Sequence, residues 1–126
     1  MRPFVVFGLL ALSAAVPSAA AAPGTAQNFL QRAERLMGKG PLALVDGDYK
    51  RLQREGTAAG ESIQADRVAA EKGGRPILYC SPKPRADLGN MEFIKALRQI
   101  PQAQRERMSL KAAMLVVLQR KYPCKR

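Results

Sequence analysis

The chain has 126 residues, 21 Lys and Arg against 10 Asp and Glu, a formal net charge of +11, two cysteines and no histidine. The lack of histidine excludes a His-based triad, a Cys–His pair and any imidazole-ligated metal centre. No GxGxxG fingerprint and no P-loop is present, so the usual phosphate cradles are excluded as well.

Residues 1 to about 21 read as a secretory signal peptide. Arg2 supplies the positive start, and Phe4 to Leu12 is an apolar run too short to span a bilayer. Pro17 precedes the small residues Ser18-Ala19-Ala20-Ala21, which fit a cleavage site. The expected destination is the periplasm, with no membrane insertion after cleavage. Residues 22–126 remain as one domain.

Apolar positions at i, i+3 and i+4 spacing predict four helices and no sheet, an all-α domain of four to five helices. The first runs from Ala26 to Met37, with Thr25 as N-cap and Phe29, Leu30, Ala33, Leu36 and Met37 on one face. Pro41-Leu42-Ala43-Leu44-Val45 reads as one helical turn docking on the core. Asp48 is the expected N-cap of a second helix reaching about Lys72, with Tyr49, Leu52, Gly56, Ala59 and Ile63 on one stripe. The small residues Gly56, Ala59 and Gly60 would admit a neighbouring backbone, and each mid-helix glycine also favours a kink. Gly73-Gly74 ends that helix. Arg75 to Gly89 is a proline-rich loop, stiff from Ser81 to Arg85. Asn90 is read as the cap of a third helix, with Phe93, Ile94, Leu97 and Ile100 facing inward. Gln102 to Arg107 is a short connection. Ser109 caps a last helix whose apolar face, Leu110, Ala113, Met114, Val117 and Leu118, marks it as central to the core.

Cys80 and Cys124 are the natural crosslink of a small exported domain. Two cysteines allow one intramolecular pairing, which closes a loop of about 45 residues and contributes roughly 4 kcal/mol in the chain-entropy model. The alternative is a bridge between protomers. Two distant thiols do not make a zinc centre, so no metal and no cofactor is expected.

The charge is uneven. Gln27 to Glu71 carries seven basic and seven acidic residues, whereas Lys72 to Arg126 carries thirteen and three. Such asymmetry points to an anionic partner. Export argues against nucleic acid, leaving an acidic protein, the envelope surface or an anionic ligand; the bland alternative is a solvated basic face. Lys83, Arg85, Arg105 and Arg107 lie on the two loops of the basic half and are the candidate partner-binding residues. Asp46 and Asp48 could form an acid–base pair, but Asp-Gly-Asp before a helix is the pattern of a turn and an N-cap. Tyr79 and Tyr122 are expected to pack around the cysteines. No catalytic residue is assigned, and the chain is not read as an enzyme.

One pattern goes further. Tyr79-Cys80-x-Pro82, a helix ending in Leu97-Arg98-Gln99-Ile100-Pro101, then Met108-Ser109-Leu110-x-Ala112-Ala113 and a closing Tyr122-Pro123-Cys124 together resemble the Rap/Tai immunity proteins of type VI secretion. The resemblance covers about Gly40 to Cys124 and is strongest from Tyr79 onward. It implies a periplasmic, mostly helical protein, often a homodimer, that binds and blocks a peptidoglycan amidase effector injected by a neighbouring cell. It also implies a Cys80–Cys124 bond. A different class, a small disulfide-bonded periplasmic stress chaperone, shares the size and helical character; acid-induced exposure of apolar surface would distinguish it.

Overall fold

The computed structural model describes residues 21–83 and 85–125. The signal-peptide reading and its cleavage site lie almost wholly outside these residues. Among them the fold is all-α: α1 Ala26–Met37, a 3-10 helix Gly40–Val45, α2 Gly47–Lys72, α3 Asn90–Gln99, the short α4 Gln102–Arg105 and α5 Leu110–Lys121. No described helix is long and apolar enough to cross a membrane.

The helix starts follow from side-chain oxygens that take up free amides. The Thr25 hydroxyl accepts from Asn28 N, and the Ser109 hydroxyl accepts from Ala112 N, both at 3.1 Å. These two caps also pair with each other. Ala26 N donates to Met108 O at 3.0 Å and Leu110 N to Gly24 O at 3.1 Å, so α1 and α5 begin at one shared point. The cap of α2 is Asp46 and not Asp48: its Oδ1 accepts from Asp48 N at 2.8 Å. Asp48 is left free for ion pairs. At α3 the cap position is Gly89, and Asn90 is the first helical residue; Glu92 Oε1 reaches back to Gly89 N at 3.3 Å.

α2 is one continuous helix through Gly56 and Gly60. No backbone approaches these glycines. A Cβ there would meet the Phe29 ring at 3.9 Å and Met114 Sδ at 3.8 Å, ordinary contact distances. Gly74, with φ +65°, turns the chain out of α2: Gly74 N donates to Glu71 O and Arg75 N to Ala70 O, the pattern that closes a helix through a left-handed residue. The 3-10 helix differs from expectation. Only Ala43 packs toward the core, and Leu42, Leu44 and Val45 are exposed. Six residues of 3-10 geometry repeat every three, so they cannot turn all of the apolar side chains in Pro41–Val45 to one face.

α5 packs against α1, α2 and α3, and it buries the five apolar residues expected of it. Phe29 and Phe93 meet with ring centroids 5.8 Å apart, joining α1 to α3. Leu97 and Ile100 are completely enclosed. α2 and α3 both pack on α1 and share no substantial contact with each other.

Cys80 and Cys124 are bonded, sulfur to sulfur at 1.99 Å, within the one chain. The bond ties the loop before α3 to the end of α5. Cys124→Ser should lower stability by about 2–4 kcal/mol, measured by urea unfolding without reductant. Unchanged stability would mean that the crosslink restrains nothing in the unfolded chain.

Candidate functional site

Two features of the surface stand out, a braced arm and a groove beside it. The arm is the segment from Cys80 to Gly89. The disulfide holds its start, where Cys80 N also donates to Tyr122 O at 2.8 Å. Its far end is held at Asp87, whose carbonyl accepts from Lys121 Nζ at 2.7 Å and from the Tyr122 hydroxyl at 3.1 Å. Lys121 also pairs with Glu92 at 2.7 Å. That pair raises the Lys121 ammonium above its ordinary value and lowers the Glu92 carboxyl. Between the two anchors, Ser81 accepts from Arg67 Nη1 at 2.6 Å and donates to Lys83 O at 2.8 Å. Lys83 faces Asp87 at 3.7 Å, both highly exposed. Arg85 is exposed and makes no ion pair among the described residues.

Tyr79 and Tyr122 adjoin the cysteines along the chain, and a cationic side chain lies over each ring. Tyr79 is buried, and the Arg67 guanidinium lies 4.9 Å from its ring centre. Lys121 stands 5.2 Å over the ring of Tyr122. The arm is therefore a loop on a rigid mount, with Lys83 and Arg85 exposed between its anchors.

The four basic candidates do not form one site. Lys83 and Arg85 sit on the arm, beside the end of α5. Arg105 and Arg107 sit before its start, a helix length of about 18 Å away. Arg105 is half-buried and committed to the fold: its guanidinium donates to Gln27 Oε1 at 2.6 Å, to Leu97 O at 3.3 Å and to Ile100 O. It thereby satisfies the carbonyls at the end of α3 and the buried amide of Gln27. Arg107 is exposed and unpaired among the described residues.

Asp46 and Asp48 belong to a network that fastens the 3-10 helix and α2 to α1. Arg32 meets Asp48 at 2.6 Å and Glu55 at 2.8 Å; Lys39 meets Asp46 at 2.5 Å; Arg35 reaches both aspartates. Lys39 and the Asp48 amide hold the Asp46 carboxyl well below its usual range, and Arg32 lowers that of Asp48. Asp48 and Glu55 together raise the Arg32 guanidinium. Two carboxylates held ionised as anchors are placed for structure, in line with the turn-and-cap reading.

The groove is the feature that sequence reasoning missed. It opens between α2 and α3, with the ends of α1 and the arm closing its sides, and has a volume of about 1240 Å³. Phe29, Leu52, Phe93, Ile94, Met114 and Leu118 line its apolar floor. Met37 and Met91 stand at its edges, 42% and 50% exposed. Lys50, Arg54 and Arg85 line it too, and none has an ion-pair partner among the described residues. No group of three or more Cys, Asp or Glu among the described residues could hold a metal ion.

The chain matches no protein-family model, and no curated protein and no solved structure matches it.

Arg105→Ala should lower stability by about 1–3 kcal/mol, the range for a charge-assisted hydrogen bond whose buried partners are left unpaired. Arg107→Ala should change it by less than about 0.5 kcal/mol. Paired urea titrations check this; equal effects would remove the distinction drawn between the two arginines.

Proposed function

We propose that the protein is a periplasmic immunity protein that binds and occludes a peptidoglycan amidase effector of type VI secretion. The single observation that carries this reading is the braced arm: a crosslinked mount presenting Lys83 and Arg85 beside an open groove. A rigid projecting loop loses little entropy on binding and so suits steric inhibition. The Tyr79-Cys80-x-Pro82 and Tyr122-Pro123-Cys124 motifs that resemble the Rap/Tai proteins form the two sides of that mount. The signal-like start, Arg2 and the apolar run to Leu12, supports export to the compartment where such an effector acts. The surplus of basic side chains supports an acidic partner surface.

Charge at an interface acts chiefly on encounter rate and is screened by salt. Changing Lys83, Arg85 and Arg107 together to Ala should slow association with an amidase encoded beside this gene by about tenfold at low ionic strength, and flatten its salt dependence. Arg105 is left intact so that the fold is kept. The measurement is association kinetics at two ionic strengths with a melting curve as control. Unchanged kinetics would move the interface away from the arm, and no inhibition of any neighbouring amidase would remove the reading.

An acid-stress chaperone is the second reading, and one observation favours it. Asp46, Asp48 and Glu92, all held below their ordinary values, fasten the 3-10 helix, α2 and the arm to the rest of the fold. A carboxyl depressed in the folded state contributes stability that is complete above about pH 4 and is lost as the pH falls through the folded value. The urea midpoint should therefore stay level from neutral pH down to about pH 5 and fall below about pH 4. The chaperone reading further expects suppression of client aggregation in the same window. Loss of stability without such suppression would leave only an acid-labile fold.

A further inference from the structure

α2 and α3 flank the groove as two helices flank a missing third. The lined stretch of α2 runs from Tyr49 to Gln64, a length of about 24 Å at helical rise. Over that length Gly56, Thr57 and Gly60 keep the wall low. The floor is apolar, and Met37, Met91 and Met114 give it side chains that adapt to another surface. The occupant that fits is a single amphipathic helix lying between α2 and α3, its apolar stripe turned to the floor.

Charge selects the kind of helix. Lys50 and Arg54 are one helical turn apart on α2, and Arg85 is on the arm; all three line the groove unpaired among the described residues. Of the acidic residues along it, Asp87 already faces Lys83, which leaves Glu61 as the one lining carboxylate without an ion pair among the described residues. A helix with an acidic outer face would meet Lys50, Arg54 and Arg85 along its margins. A second copy of this chain is disfavoured by its own charge of +11, which sets like against like on approach. We infer that the α2–α3 groove binds an acidic amphipathic helix of a partner protein. The inference rests on the reading of this chain as a protein-binding module and does not depend on the partner being an amidase.

The test uses two synthetic helical peptides of about 16 residues. Both carry Leu at i, i+3, i+4 and i+7; one has Glu on its polar face, the other Lys. Binding is followed by fluorescence anisotropy and by methyl NMR of the methionines in the intact, disulfide-bonded protein. The acidic peptide should bind at least about tenfold more tightly than the basic one, shifting the methyl signals of Met37, Met91 and Met114 and leaving Met108 unmoved. Lys50→Glu with Arg54→Glu should reverse the preference, since both residues are exposed, have no ion pair among the described residues and leave the fold intact when exchanged. Thr57→Trp should fill the groove and abolish binding of either peptide. Equal binding of the two peptides, shifts centred on Met108, or self-association that protects the groove methyls without peptide would each overturn the inference. Peptide discrimination without amidase inhibition would remove the amidase reading and keep the groove. Amidase inhibition untouched by Thr57→Trp, with no peptide bound, would do the reverse.

Discussion

The burial of α5 on three sides is the constraint from which the rest of the structure follows. Its apolar side chains, from Leu110 through Leu118, must leave water, and α1, α2 and α3 are what cover them. Serving one central helix keeps α2 and α3 apart, and the space between them is the groove. The end of α5 brings Cys124 to Cys80, and its last residues, Lys121 and Tyr122, reach over to hold the arm. The most hydrophobic of the long helices described thus positions both surface features. Its start is equally constrained, because the residues flanking the caps of α1 and α5 are hydrogen-bonded to each other.

Electrostatics divides the molecule in a second way. Among the described residues, every acidic residue apart from Glu61 and Glu106 is ion-paired to a Lys or Arg. Those pairs fasten one element to another or lie along a helix. With ten acidic residues against twenty-one basic ones, the pairing uses up the negative charge and leaves a positive surface. Exposed pairs of this kind add little stability individually. Their larger consequence is for recognition, because the cations left without an ion pair among the described residues, Lys50, Arg54 and Arg85 included, are what an approaching molecule meets.

The arm and the groove are neighbours, sharing Arg85 and the residues that lead into α3. One is stiff and polar, the other apolar and lined with methionine. A partner that touched both would gain orientation from the arm and affinity from the groove, the usual division between charged rim and apolar centre at a protein interface. The division also explains why Arg105, although basic and near a loop, stands outside this surface: its donors are spent on carbonyls at the end of α3.

The sequence by itself determined the all-α class, the extents of α1 and α5 with their Thr25 and Ser109 caps, and most of the buried face of each long helix. These are set by interactions within a few residues, where a hydroxyl meets an amide three positions on and apolar side chains recur every turn. Met37, expected on the inner face of α1, is exposed instead, because it is the last residue of the helix and stands at the groove edge. The intrachain bond was one of two open pairings until the ends of the arm and α5 were seen to meet. Tertiary structure alone decided that Asp46 takes the cap and frees Asp48 for Arg32, because the choice turns on a partner sixteen residues away. It alone turned Arg105 inward, toward a glutamine seventy-eight residues distant. The groove belongs to the same class: it is the absence of packing between α2 and α3. No local pattern encodes such an absence, which arises only when both helices find a better partner in α5.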